Sequence, residues 1–323
     1  MKNIYITRQI SDKGIQMLKD KGYDVIIGKS KTPPNQKELI KELKKKNYDA
    51  VIPLLTDKID GQIFDAVPTA KIFANYSVGY DNVDLAEAKK RGITITNTPG
   101  DYVDGVAEHA VALLLGLMAR LVEADTFVRK GKYKGWDPML FTGDKLNGKT
   151  VAIIGTGRIG EKFARKLHDG FGVKIIYYDI VRNESIEKEC GAQFVNSLDE
   201  ALTIADVISI HVPLLPTTHH LINKENLNKM KSSAYIINTS RGPVIDEVAL
   251  VEALKVGRIR GAGLDVFEFE PKLAKGLAQL PNTILSPHIA SAQTESRDEM
   301  SKIVAENIID FFEGRIPRNI VNK

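Results

Sequence analysis

Short apolar runs alternate with amphipathic stretches along the whole chain. The runs Asn3–Ile6, Asp24–Ile27, Ala50–Leu54, Lys71–Ala74 and Ile93–Thr96 read as strands. A second series follows at Thr150–Ile154, Val173–Tyr178, Gln193–Val195, Val207–His211, Ala234–Asn238, Gly261–Asp265 and Thr283–Ser286. Between them, segments such as Asn35–Lys46, Arg158–Leu167 and Glu247–Val256 carry the helical period. Strands that alternate with helices in this way predict an α/β fold with parallel sheets covered on both faces.

The alternation breaks in the middle. Asp101–Lys130 reads as one long helix, with Asp101 or Asp104 as its N-cap, followed by a loop, Gly131–Lys149, that contains Trp136 and Pro138. A fresh strand, glycine loop and helix then begin at Thr150, so the long helix reads as a bridge between domains. The C-terminal stretch Ala292–Gly314 is amphipathic, with Met300, Ile303, Val304, Ile308, Phe311 and Phe312 on one side. With no strand after it, it is expected to cross back and pack on the N-terminal domain. The pattern therefore predicts two Rossmann- or flavodoxin-like domains. Residues 101–288 form one, inserted in a discontinuous domain made of residues 1–100 plus 289–323.

Composition supports this picture without adding chemistry. A chain of 323 residues suits two domains, because single cores stop growing at roughly 250–300 residues. The net charge of +4 is the difference between 45 basic and 41 acidic side chains, which is no footprint for nucleic acid. The most apolar stretch, Ala110–Ala119, is too short to cross a bilayer. The single cysteine, Cys190, cannot form an internal disulfide, and the N-terminus lacks a signal-peptide core. A cytoplasmic protein is expected, with neither a membrane nor a nucleic-acid partner and no metal site.

The chemistry begins at TVAIIGTGRIG. Gly155, Gly157 and Gly160 form G-x-G-x-x-G directly after an apolar strand and at a helix start. In that context the first glycine permits a tight turn, the second lets backbone approach a pyrophosphate, and the third lets helix and strand pack closely. The helix start at Arg158 and Ile159 offers unpaired N–H groups to phosphates. The next strand ends in Asp179, an acid placed to accept hydrogen bonds from an adenosine ribose and to repel a 2′-phosphate. NAD is therefore expected over NADP, with Arg182 close by.

Three further residues follow strands in the same half: Arg241, Glu270 and His288. In parallel sheets ligands bind outside the carboxyl ends of strands, so the three can converge on one crevice. Oxidising a 2-hydroxy acid removes a hydride from C2 and a proton from its hydroxyl. A histidine supplies a base near neutrality, a carboxylate fixes its tautomer, and an arginine grips the substrate carboxylate in bidentate fashion. His288, Glu270 and Arg241 fill those roles.

With these residues in place, the chain resembles the D-isomer-specific 2-hydroxyacid dehydrogenase family. The matching stretches are NYSVGYDNVD (75–84), NTPGDYVDGVAEHAVALLLGLMAR (97–120), the glycine loop, HVPLLPTTHHLI (211–222), NTSRGPVID (238–246), GAGLDVFEFEP (261–271) and SPHIASAQTES (286–296). The resemblance implies that Arg241, Glu270 and His288 are catalytic, and that the backbone amides at Val78 and Gly79 cradle the substrate carboxylate. It implies that Asp265 binds the nicotinamide carboxamide, that Thr239, His211 and Pro213 line the nucleotide cleft, and that Ser291 lies near the nicotinamide. It also implies a homodimer joined through the long helix and the Trp136 loop, which in some relatives reaches the partner's active site. Residues 1–100 plus 289–323 would be the substrate-binding domain. NYSVGYDNVD and HIASAQTES look most like the glyoxylate/hydroxypyruvate reductase branch, although Asp179 differs from its NADP-using members. The activity expected is NAD-linked interconversion of a D-2-hydroxy acid and its 2-oxo acid. The alternative is an NAD-sensing interaction protein like the co-repressors of the superfamily, against which stands the lack of long flanking tails.

Overall fold

Twelve short apolar runs become twelve strands among the described residues, in two all-parallel sheets. The structure is a computed structural model that describes residues 1–100 and 103–323. It divides into two compact units, Met1–Tyr102 with Gln293–Lys323, and Val103–Ala292.

In the first unit, β1 (Asn3–Ile6), β2 (Asp24–Ile27), β3 (Ala50–Ile52), β4 (Ile72–Ala74) and β5 (Thr94–Thr96) pair in the order β2-β1-β3-β4-β5. This is the doubly wound, flavodoxin-like order, with its switch point between β1 and β3. Side chains alternate between two cores, as a period of two requires. Ile4, Ile6, Ile52 and Ile72 face one side with Met300, Val304 and Ile308 of the C-terminal helix Thr294–Phe312. Tyr5, Val51, Phe73 and Ile95 face the other with Leu39, Leu43, Ile63 and Phe64. The C-terminal helix thus crosses back onto the N-terminal sheet. It also packs on the helix Asp12–Asp20, where Gly14 is required: a Cβ there would lie 1.9 Å from the Ser301 carbonyl oxygen.

In the second unit, β6 (Thr150–Ile154), β7 (Lys174–Tyr178), β8 (Gln193–Phe194), β9 (Val207–Ile210), β10 (Tyr235–Asn238), β11 (Gly261–Leu264) and β12 (Thr283–Leu285) pair in the order β12-β11-β10-β9-β6-β7-β8. The chain winds outward in both directions from β6 and β9. That junction is the switch point at which such sheets bind ligands, outside the carboxyl ends of the strands. Ile154, Ile208, Ile210 and Ile236 fill one face. Val151, Ile153, Tyr177 and Ile237 fill the other, against Leu113, Leu114 and Leu117 of the helix Val103–Met118 and Phe163 of the helix Arg158–Phe171.

Two expectations need correction. The long helix is two helices, Val103–Met118 and Leu121–Arg129. Arg120 between them takes the left-handed conformation at φ 54°, and the Met118 carbonyl accepts from the N–H of Asp144 instead of continuing the helical ladder. Of the two proposed caps, Asp101 lies outside the described residues. Asp104 sits in the first helical turn, where it meets Lys162 and Lys166 at 3.3 and 3.2 Å. The second crossover between units falls after Ala292 and not after His288. The reason is local: the N–H groups of Ile289 and Ala290 donate to the Asp265 carboxylate at 2.9 and 2.8 Å, which holds this stretch in the second unit.

Candidate active site

At the end of β6 the chain turns at Gly155, whose φ is +92°. A Cβ there would meet Val212 at 2.8 Å and the His211 backbone at 2.9 Å, and one at Gly160 would lie 2.1 Å from the Gly155 oxygen. Gly157, by contrast, is the N-cap of the helix Arg158–Phe171, with no side-chain cap, and a Cβ there would touch nothing within 4 Å. The first N–H groups of that helix, at Arg158 and Ile159, have no backbone acceptor among the described residues, the arrangement that suits a phosphate. Thr239, after β10 on the same edge, is 8% exposed, and its hydroxyl has no hydrogen-bond partner. A buried hydroxyl without a partner among the described residues, on the same sheet edge as an uncapped glycine-bounded helix start, fits a bound dinucleotide.

Asp179, directly after β7, has a structural task as well. One carboxylate oxygen accepts from the Thr156 N–H at 2.6 Å and from its hydroxyl at 3.0 Å, and the other accepts from the Ile180 N–H at 2.7 Å. It thereby secures the glycine loop. Arg182 turns away to Glu187 at 2.9 Å and lies 5.3 Å from the Phe194 ring. His211, after β9, bonds Ser209 at 2.8 Å and packs 5.1 Å from the Phe163 ring. Burial pushes its imidazole down to about 3, so it stays neutral. Pro213 is exposed and Ser291 half-buried.

The residues singled out for catalysis lie on the loops after β10, β11 and β12. Glu270 accepts the Phe267 N–H on one oxygen at 3.0 Å and meets His288 Nδ1 on the other at 3.0 Å. Nδ1 is thereby committed, which leaves Nε2 as the nitrogen able to exchange a proton. His288 itself sits at φ 55°, a conformation that non-glycine residues adopt rarely and that persists only when the surroundings impose it. Here they do. Its N–H donates to the Asp265 carbonyl at 2.8 Å, and the next two N–H groups go to the Asp265 carboxylate. Arg241 donates to the Ser240 carbonyl at 2.8 Å. Gly242 beside it presses so close to the Phe267–Glu268 backbone that a Cβ would lie 1.9 Å from the Phe267 carbonyl carbon. The Arg241 turn and the Glu270 loop are therefore in direct contact.

Sequence reasoning missed Glu247 and assigned Asp265 only to the nicotinamide carboxamide, yet both clamp these loops. Glu247, 3% exposed, accepts the N–H of Glu268 and that of Ala274, both at 2.6 Å, and so closes the loop that bears Glu270. Asp265, fully buried, accepts from Ser286 Oγ at 2.6 Å as well as from Ile289 and Ala290, and His109 lies 3.4 Å away, itself bonded to Ser286 at 2.9 Å. Burial pushes the Asp265 carboxyl up, but these donors outweigh it and hold it below the ordinary range. Its side chain is thus engaged in fixing the His288 loop. His109 carried a faint signal, a polar residue inside the apolar helix Val103–Met118.

Val78 and Gly79 belong to the first unit, on the loop after β4. Asn97 holds the Val78 carbonyl at 2.7 Å and Asn75 the Gly79 carbonyl at 3.0 Å. Neither amide N–H donates to an acceptor among the described residues, as a carboxylate cradle needs. The fold also gathers His219, His220 and Glu268, a set that could hold a metal ion, although no metal site was expected.

A doubly wound sheet with an open glycine-rich helix start, an acid after its second strand and a carboxylate–imidazole pair on the same edge defines an oxidoreductase that uses a nicotinamide dinucleotide. Residues 111–290 match the family model described as D-isomer specific 2-hydroxyacid dehydrogenase, NAD binding domain. A glyoxylate reductase of Thermococcus litoralis is 47% identical over 99% of this chain and 96% of its own length. A protein of known structure from Thermus thermophilus is 38% identical, with a TM-score of 0.92 and 99% of both chains covered. An NADPH-dependent glyoxylate/hydroxypyruvate reductase from Sinorhizobium meliloti, solved with citrate, is 32% identical with a TM-score of 0.86, covering 99% of this chain and 98% of that one. The chain belongs to the D-isomer-specific 2-hydroxyacid dehydrogenase family, in its glyoxylate reductase branch. No described helix is long and apolar enough to cross a membrane.

Proposed function

We propose that the protein reduces glyoxylate, hydroxypyruvate or a similar small 2-oxo acid to the D-2-hydroxy acid with NADH. The observation that carries this reading is the His288–Glu270 pair on the carboxyl edge of the dinucleotide-binding sheet. The bound nicotinamide supplies the hydride for C2. His288 Nε2 gives a proton to the carbonyl oxygen, and the Glu270 carboxylate, held by the Phe267 N–H, stabilises the imidazolium before that transfer. Arg241 binds the substrate carboxylate and also polarises the carbonyl. Asp179 receives the ribose hydroxyls. NAD is favoured over NADP because a 2′-phosphate would meet that carboxylate while the nearby Arg182 is engaged by Glu187.

A homodimer joined through the helices Val103–Met118 and Leu121–Arg129 and the following loop accounts for the exposure of Leu121, Val122, Val128, Tyr133, Trp136 and Met139. The single thiol, Cys190, is buried and free, which suits a cytoplasmic enzyme. The test is a kinetic panel of 2-oxo acids with NADH and NADPH in parallel. Turnover of glyoxylate or hydroxypyruvate with NADH, lost by orders of magnitude in Arg241→Ala, supports the reading. A panel without turnover, with NADH instead altering the oligomeric state, would support an NAD-sensing role.

A further inference from the structure

We propose that His219, His220 and Glu268 form a binding site for a divalent transition-metal ion of the zinc–nickel class, separate from the residues assigned to catalysis. The three offer two imidazole nitrogens and one carboxylate oxygen, all within 4.8 Å of one another. Two histidines and a carboxylate are a donor set that borderline metals favour and that hard ions such as Mg²⁺ do not.

Consecutive residues rarely point the same way. His220 does so with His219 because its backbone adopts φ 49°, in the left-handed region that non-glycine residues seldom occupy. The turn is held by the His219 N–H on the Leu215 carbonyl at 2.9 Å and the His220 N–H on the Pro243 carbonyl at 2.8 Å. The two rings consequently stack, with centroids 4.0 Å apart and planes 28° from parallel. Stacked rings direct their in-plane lone pairs side by side, so His219 must turn about its side-chain torsions before its nitrogen and that of His220 can meet at one ion.

The carboxylate is already oriented. Glu268 Oε2 accepts the Glu247 N–H at 3.0 Å, and Oε1 lies 2.7 Å from His220 Nε2. Metal ligands are commonly fixed by just such outer hydrogen bonds. Ligand atoms around a tetrahedral zinc at its usual bond lengths sit about 3.3–3.5 Å apart, so the His220–Glu268 gap of 2.7 Å needs to open by about 0.6–0.8 Å. His219, which is exposed, closes the set by rotating, and its exposure gives an ion its entry path. A bound ion would tie the loop after β9 to the loop after β11 and brace the segment that carries Glu270.

The test begins with protein stripped by EDTA and dialysed, titrated calorimetrically with ZnCl₂ and with NiCl₂ near pH 7.5. One ion per chain is expected, with no response to MgCl₂. His219→Ala should weaken binding at least tenfold and His220→Ala should abolish it, while Cys190→Ser leaves it unchanged. Zinc should also raise the melting temperature of the wild type and not of His219→Ala, a surface substitution whose folding is checked by circular dichroism. Absence of stoichiometric binding, or equal affinity in the His219→Ala/His220→Ala double variant, overturns the proposal. Neither result bears on turnover of 2-oxo acids, so the proposed function stands or falls separately.

Discussion

Asp265→Asn tests whether a buried carboxylate holds His288 in place. In the wild type one oxygen accepts from Ser286 Oγ and the Ile289 N–H, and the other accepts from the Ala290 N–H. An asparagine has one acceptor and one donor, so in either orientation of the amide a backbone N–H of this loop faces an N–H₂ group. An unsatisfied buried donor costs about 1–3 kcal/mol, and the bonds that survive lose their charge assistance, roughly half their strength. The sum is about 2–4 kcal/mol. For a unit the size of Val103–Ala292, each kcal/mol lowers the melting temperature by about 2–4 °C, which gives a fall of roughly 5–15 °C. His288, released from its left-handed conformation, misplaces Nε2, and a displacement near 1 Å costs on the order of 100-fold in kcat. The wild-type carboxyl titrates below its ordinary value, so its stabilisation is complete above about pH 4 and is lost as pH falls through the lowered value. The variant's acid limb should therefore be shallower. Thermal unfolding and steady-state kinetics read both effects. If melting is unchanged within about 1 °C while only KM for NADH rises, the side chain serves the carboxamide and the clamp argument is wrong.

Three further outcomes follow from the same geometry. Asp179→Ser should lower kcat/KM with NADH by about 10- to 100-fold, the worth of one or two charge-assisted bonds, and raise the NADPH-to-NADH ratio in parallel assays. His211, with its imidazole pushed down to about 3 from 6.5 by burial, binds a proton in the unfolded state before it does in the folded one. Unfolding free energy should then be flat above pH 6.5 and fall below it by about 1.4 kcal/mol per pH unit, a component absent from urea unfolding of His211→Gln. Glu247→Gln leaves one of two loop N–H groups without an acceptor, so it should cost about 1–3 kcal/mol in stability and lower kcat while KM for NADH stays constant.

Most strands were legible because they are buried on both faces and read as short, largely apolar runs, while β2, β8 and β12 are only partly buried. Their ends were less so. His211, Asp265 and Ser286 were expected as final strand residues, yet each lies just past the paired ladder. There the chain is leaving the sheet to place these groups on its carboxyl edge. The break at Arg120 was hidden because its cause, the Asp144 N–H on the Met118 carbonyl, comes from a loop far along the chain. Glu247 follows the N-cap Asp246 and reads as an ordinary first-turn acid favoured by the helix dipole. Only the fold reveals that two distant N–H groups converge on it. His219 and His220 have no local signal at all, since the third donor, Glu268, arrives from another loop.

Glu270 and His288 are therefore held in part through the main chain, by carboxylates that take up backbone N–H groups, alongside the burial of Phe267 and Ala290. A clamp of this kind leaves adjacent side chains free to vary. Phe269 and Ile289, 46% and 41% exposed, flank Glu270 and His288 but contribute only backbone to the loops that carry them. Ile289→Ala should accordingly keep stability within about 0.5 kcal/mol, as surface substitutions do, because its N–H still reaches Asp265. The His288–Glu270 pair should be preserved, so the pH dependence of kcat should be superimposable on that of the wild type. Any change should appear in KM and in the ranking of 2-oxo acids. A shifted pH profile with intact stability would show that the side chain itself, and not the main-chain clamp, orients the imidazole.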